Sequence, residues 1–277
     1  MFHTSLFFVR PDELHRVEKP YAFKFPLENA AIPSKNYEHI ETEHVQVSDI
    51  RGHESDFTLE KNGFAVFDMG KDFKYEDFHD SVKIEPYFHL VEKLLKQELG
   101  ASHVQMFRYG LRKRHPTWPR NTGQSYDYDQ PTTTVHIDTT PQEVLVEVRR
   151  HHKERYEELT MHRVQWVNVW KPLRGPLNDW PLLVCDNSTV DKSKDLEPAD
   201  LLYPDRIAEN CLVYDSPKYR WHYLSGHKTT EIMVFKQGDT LHDAPPGVPH
   251  CSVQNPLAPN ESPRESIETR FLVFYNS

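Results

Sequence analysis

The stretch Thr134-Val135-His136-Ile137-Asp138-Thr139-Thr140-Pro141 decides how this chain is read. His136 and Asp138 are two residues apart, so on a β-strand their side chains point to one face. An imidazole and a carboxylate side by side supply two of the three protein ligands of a non-haem iron(II) site. A histidine from later in the chain normally supplies the third, and three positions stay open for small molecules. The strand gives way at once to a helix. Thr140 suits an N-cap, Pro141 the first helical position and Glu143 the returning partner of a capping box, which predicts a helix continuing over 142–160. The spacing alone is a weak signal. A chain with 17 His and 42 acidic residues in 277 holds roughly 2.6 His-x-acid triplets by chance, and His39-Ile40-Glu41 is another.

The bulk numbers bound the possibilities. A length of 277 residues allows one large domain or two small ones. The 33 basic and 42 acidic side chains leave a net charge of −9, which argues against a general binder of nucleic acid or anionic membranes. The opening run from Met1 to Arg10 is too short in apolar residues for a signal peptide, and no stretch approaches the roughly 18 that a membrane helix needs. Cys185, Cys211 and Cys251 are scattered, without a Cys-x-x-Cys pair. These features predict a soluble cytoplasmic protein with reduced thiols. Aromatics at 12% and 21 prolines against 10 glycines fit a β-rich body with stiff loops.

Along the chain, residues 11–60 are mixed and weakly periodic, and irregular strands and loops are expected there. A short strand should follow the Asn62-Gly63 turn at 64–69. A helix is expected at 84–99, with Phe88, Val91, Leu94 and Leu95 on one face and Gly100 at the C′ position. A strand over 104–109 leads into a basic loop over 110–120. Beyond residue 124, strand-like segments recur at 133–138, 164–170, 181–185, 211–215, 219–224, 231–236, 247–254 and 266–275. That succession suggests a sandwich or barrel rather than a parallel α/β sheet. No dinucleotide, P-loop or serine-hydrolase motif is present.

Candidates for the distal ligand are His162, His222, His227, His242 and His250. His250 leads because it enters a short strand through the Pro246-Gly247 turn, and His222 is the runner-up. The last strand carries a second signal. Arg264, Ser266, Glu268 and Arg270 alternate onto one face, and Ile267, Thr269, Phe271 and Val273 onto the other. Two guanidinium forks and a hydroxyl make a receptor for a dicarboxylate. The competing reading is a solvated face with an arginine paired to Glu268. Burying an unpaired guanidinium costs several kcal/mol, so if this face lines a pocket each arginine needs an anion. Asn168 and Trp170 alternate beside the expected site, Asn168 as a hydrogen-bond donor to co-substrate or substrate and Trp170 as core. The basic run Arg108–His115, near Trp118, is either a solvated loop or a steering surface for an anion. Cys251 should point away from His250 as a buried thiol.

The order His-x-Asp, distal His, Arg-x-Ser resembles the Fe(II)/2-oxoglutarate-dependent oxygenases. More narrowly, the chain is similar to the fungal and bacterial family described as AsaB-like, CmcJ-like or gibberellin-desaturase-like. The resemblance runs through Leu59–Phe64, His136–Pro141, Val167–Leu173, Tyr203–Arg206, Arg220-Trp221, Pro249-His250 and Pro263–Arg270. It implies a mainly β protein with flanking helices, built on a double-stranded β-helix (jelly-roll, cupin-like) core. One domain over 1–277 is expected, 1–123 forming an N-terminal α/β extension and 124–277 the core. The resemblance also implies iron on His136, Asp138 and His250, with 2-oxoglutarate on Arg264 and Ser266 and dioxygen as co-substrate. Arg270 keeps a second-arginine spacing that would clamp 2-oxoglutarate twice, whereas Lys171 stands where arginine is commoner. The implied reaction is hydroxylation, desaturation or oxidative cyclisation of a small specialised metabolite, an amino-acid derivative among the expected substrates. Two other readings use the same residues. A zinc hydrolase would hold a metal-bound water on the triad, and a non-catalytic jelly-roll module would use the histidines structurally.

Overall fold

The computed structural model describes residues 1–29, 31–120 and 125–276. In chain order its strands are β1 (Phe2–Val9), β2 (Tyr21–Phe23), β3 (His39–Asp49), β4 (Phe64–Asp68), β5 (His103–Lys113), β6 (His136–Ile137) and β7 (Val164–Pro172). There follow β8 (Leu182–Cys185), β9 (Leu196–Leu202), β10 (Ile207–Val213), β11 (Trp221–Tyr223), β12 (Glu231–Asp239), β13 (His250–Ser252) and β14 (Glu265–Phe274). The helices are α1 (Glu85–Glu98), α2 (Pro141–His151) and α3 (Tyr156–Thr160). The strands form a nine-stranded sheet, β1-β3-β11-β8-β13-β6-β10-β9-β2, and a five-stranded sheet, β4-β12-β7-β14-β5. This is the expected mainly β, double-stranded β-helix architecture with flanking helices.

Alternation along each strand assigns its residues to layers. Leu182 and Val184 of the larger sheet and Val248 beside it meet Trp170, Met233 and Phe235 of the smaller sheet, forming the apolar part of the interior. On the other face of the smaller sheet, Val167, Val169, Val234, Ile267 and Val273 pack against Tyr87, Phe88, Val91 and Leu95 of α1. Burying each such α1 side chain is worth roughly 1.5–3 kcal/mol, which is what holds that helix to the sheet. Gly100 follows α1 at φ +62°, the left-handed C′ position its sequence suggested. Helix α2 lays Val144 and Val148 on Val164, Trp166, Leu272 and Phe274.

Several local expectations are corrected. Residues 11–60 include an eleven-residue strand, β3, paired along β1. Only Val47 of it is buried, so no alternation of apolar and polar residues marks it. Strand β5 runs on to Lys113, where the sequence suggested a loop, because β14 pairs with it as far as Glu265↔Lys113. The single helix expected at 142–160 breaks at His152 (φ −135°), and α3 is a separate turn. Thr140 does cap α2, accepting from Glu143 N at 3.2 Å. The returning half of the capping box is not made, since the Glu143 carboxylate accepts from Glu209 N instead. Strands β1 and β9 had no counterpart among the expected segments, and β2 falls in the stretch where irregular strands were expected. Residues before 121 supply β1–β3 to the larger sheet and β4 and β5 to the smaller one. The boundary expected between 123 and 124 lies outside the described residues.

The turn into β13 has almost no room. A Cβ at Gly247 would lie 2.2 Å from the Gln237 carbonyl oxygen and 2.6 Å from Ile137 Cγ2. Gln237 also accepts the Asp138 N–H through Oε1 at 2.7 Å, so this packing links β12, β6 and the entry to β13. Gly247→Ala must move backbone, and we expect it to cost about 1–3 kcal/mol of stability. Urea denaturation would show this as a lowered midpoint, and an unchanged midpoint would contradict the close approach.

Candidate metal centre

Strands β6 and β13 are antiparallel neighbours, and their register sets His136 opposite His250. The two imidazole centroids are 4.4 Å apart. Asp138, two residues after His136, turns to the same face. Its Oδ1 lies 3.5 Å from His136 Nε2, and its Oδ2 lies 4.0 Å from His250 Nε2. One donor atom from each of the three residues falls within 4.8 Å of the others. His222 is elsewhere, packed edge-on to Phe57 with ring centroids 4.9 Å apart and with no partner for either ring nitrogen.

The surroundings prepare the three side chains as ligands. His136 Nδ1 sits 2.9 Å from the Thr134 carbonyl and His250 Nδ1 3.2 Å from the Val248 carbonyl. A carbonyl only accepts, so each Nδ1 carries the proton and each Nε2 keeps its lone pair. Burial pushes the His250 imidazole down to about 3, leaving it neutral. Burial alone would raise the Asp138 carboxyl, but the charge of Arg270 beside it outweighs that. The group is held well below the usual carboxylate range. Arg270 NH2 lies 3.0 Å from Asp138 Oδ2, and Asn168 Nδ2 donates to the same oxygen at 2.7 Å. Trp166 Nε1 donates to Asn168 Oδ1 at 2.8 Å and fixes which way that amide faces. Two imidazoles that present Nε2 beside an ionised carboxylate form the donor set a divalent ion requires.

A narrow slot leads inward from the triad, lined by Thr132, Trp170, Leu182, Ser252, Arg264 and Glu268, among others. Arg264, 2% exposed, donates to the Trp180 carbonyl at 2.7 Å, to Ser252 Oγ at 2.5 Å and to Ser266 Oγ at 3.2 Å. Its guanidinium lies 5.0 Å over the Trp170 ring. Among the described residues it meets no carboxylate: Asp179 takes its backbone N–H but spends its charge on Arg114. Burial, and after it the charge of Arg112, lowers the Arg264 guanidinium to about 9. This is a cation held in place without its anion.

The remaining site expectations fall out unevenly. Ser266 is on Arg264, as its spacing suggested. Arg270, expected beside a co-substrate, is paired with Asp138 and with Glu268 Oε1 at 3.0 Å, although it also borders both cavities. Asn168 faces Asp138. Lys171 points to the opposite side of β7, 4.6 Å over the Phe78 ring. Cys251 is buried in the outer apolar cluster. Sequence reading missed Ser252, though it is two residues after His250 and so on the same face. It also missed Lys24 and Arg206, which line a wider cavity of about 230 Å³ outside the triad together with Arg108 and Arg112 of the basic run. Lys24 carries no local signal.

Comparison with known proteins agrees with this chemistry. A family model described as an oxidoreductase/YMDC permease-like domain matches residues 6–274. The chain is 32% identical to the Fe(II)/2-oxoglutarate-dependent dioxygenase nvfI of Aspergillus novofumigatus, covering 83% of this chain and 82% of that one. It is 29% identical to the hydroxylase/desaturase efuI of Hormonema carpetanum, over 84% of each. A solved structure of the iron and alpha-ketoglutarate-dependent endoperoxidase NvfI superposes with a TM-score of 0.85 at 27% identity, covering 100% of this chain and 98% of that one. The zinc hydrolase and the inert binding module find no support among these relatives. The chain belongs to this oxidoreductase family and, within it, to the Fe(II)/2-oxoglutarate-dependent dioxygenases.

Proposed function

We propose that His136, Asp138 and His250 hold the iron, that the inner slot takes 2-oxoglutarate, and that the wider outer cavity takes the substrate, with the whole chain acting as one domain. The observation that carries this reading is Arg264. A buried guanidinium without a counterion costs several kcal/mol, and it sits along a slot that opens onto the triad. The far carboxylate of a 2-oxo diacid is the anion that would complete it, bound by the fork and by the hydroxyls of Ser252 and Ser266. When bound, iron with 2-oxoglutarate and dioxygen supplies an oxidant that removes a hydrogen atom from substrate, while 2-oxoglutarate becomes succinate and carbon dioxide.

The chain's own residues do the positioning. The Thr134 and Val248 carbonyls orient the two imidazoles, so Nε2 of each would be the atom to hold the ion. Arg270 and Asn168 occupy Asp138 Oδ2, which leaves Oδ1 as the freer ligand atom. Arg270 thus acts first on Asp138, although it also borders the slot. Trp170 and Leu182 line the inner slot with apolar surface, which favours the ion pair at Arg264 by excluding water. The outer cavity is of a size for a small specialised metabolite. Whether it is hydroxylated, desaturated or cyclised depends on where its reacting carbon is held. No described helix is long and apolar enough to cross a membrane. With three buried, unpaired cysteines, we read a cytoplasmic enzyme.

His136→Ala, Asp138→Ala and His250→Ala should each lose iron binding, read by calorimetry under anaerobic conditions, while circular dichroism stays close to wild type. His222→Leu, which removes no hydrogen bond, should keep it. Metal binding retained in His250→Ala would remove that residue from the site.

Arg264→Met should weaken 2-oxoglutarate by roughly tenfold or more, since charge-assisted bonds are worth about 1.5–3 kcal/mol each. The check is the rise in thermal midpoint that 2-oxoglutarate produces in the manganese(II)-loaded protein, which should largely vanish. An undiminished rise would take the co-substrate away from this arginine.

Arg270→Gln separates the two arginines. Its metal affinity should fall by about 10–100-fold, the range for outer partners of ligands. Its 2-oxoglutarate affinity at saturating metal should change less than that of Arg264→Met. The reverse order would make Arg270 a co-substrate clamp.

A further inference from the structure

The outer cavity is cationic in an acidic protein. The chain carries a net charge of −9, yet Lys24, Arg108, Arg112 and Arg206 all line this one space beside the triad. The carboxylates on its walls are already committed. Glu147 is paired with Arg150 and with His151 at 3.2 Å. Glu209 is paired with Lys19 and accepts from Thr140. Glu143 accepts the Glu209 N–H.

Three of the cations are left with spare capacity. Lys24 makes no ion pair among the described residues. Arg112 donates to the Gln130 carbonyl at 2.6 Å and likewise meets no carboxylate there. Arg206 pairs with its exposed neighbour Asp205 at 3.1 Å and lies over the Tyr203 ring at 4.2 Å, and its Nε is buried without a hydrogen-bond partner. Such groups are costly to desolvate and gain most from an anion that arrives with the ligand. Beside them, Trp166, Leu201, Tyr203 and Leu212 supply apolar and aromatic wall.

Resting on the oxygenase reading above, we infer that the substrate is a carboxylate with an apolar body, its acid group received by Lys24, Arg112 and Arg206 and its body by Trp166, Tyr203 and the two leucines. Lys24 and Arg206 line the outer cavity alone, Arg264 lies in the inner slot, and Arg112 borders both, so one protein holds two adjoining carboxylate receptors. The inner one takes the co-substrate and the outer one orients the substrate's reacting carbon towards the triad. In an otherwise anionic protein the outer cluster also draws an acid to the mouth.

The test keeps the inner receptor filled. Full-length protein is loaded with manganese(II) and saturating 2-oxoglutarate, then titrated calorimetrically with phenylacetate, 3-phenylpropionate and 4-phenylbutyrate, each beside its primary amide. At least one acid should bind about tenfold or more tightly than its amide, the scale of one well-formed charged contact. In Lys24→Gln/Arg206→Gln, neither residue of which borders the inner slot, that preference should shrink below about threefold. Equal binding of every acid and amide, failure of all three acids to bind, or an undiminished preference in the double variant would overturn the proposal. The 2-oxoglutarate affinity measured in the same wild-type protein reports on the oxygenase reading separately. If it is absent, that reading falls, and the acid–amide comparison still decides whether the outer cavity selects carboxylates.

Discussion

The register between β6 and β13 is the constraint on which the site depends. Strand β6 has only two residues, yet it pairs with β10 on one side and β13 on the other, opposing His136 to Leu212 and to His250. Strand side chains alternate with period two, so a slip of one residue would turn His136 and Asp138 outward and drive Ile137 into the site. That slip is resisted by the other face. Val135, Ile137, Cys251 and Val253 are buried together in the outer apolar cluster, and a shift would exchange them for an imidazole and a carboxylate. Apolar residues flanking the triad therefore place its three side chains.

Charge burial then divides the labour among the residues of the last strand. Arg264, Ser266, Glu268 and Arg270 all face inward, but their surroundings differ. Arg270 sits between two carboxylates and steadies one of them. Arg264 has neutral oxygen acceptors and an aromatic face, and no carboxylate. Desolvation with a partner is tolerable, while desolvation without one leaves a group waiting for an anion. Two arginines six residues apart on one strand thus do different physical jobs.

Much of this was legible in the chain. The His-x-Asp pair, the Pro-Gly entry to His250, the Thr140 cap and the Arg-x-Ser alternation are local patterns, and local geometry decides them within a few residues. Less was legible where pairing overrides local character. The run after Tyr109 looks like a loop because of its charge, yet β14 holds it as strand and brings Arg112 to the outer cavity. Strand β3 was obscured because both of its faces are largely exposed, with only Val47 buried.

What the sequence by itself determined is the inventory: which residues carry imidazole, carboxylate and guanidinium, and which of them share a face within one strand, since that follows from backbone geometry alone. What only the tertiary structure decided is which groups meet across strands. His250 rather than His222 joins the pair, Asn168 turns to Asp138, and Arg270 finds two counterions where Arg264 finds none. Those outcomes rest on sheet order and on the low polarity of the interior, where a charge's behaviour is set by neighbours that can lie a hundred residues away.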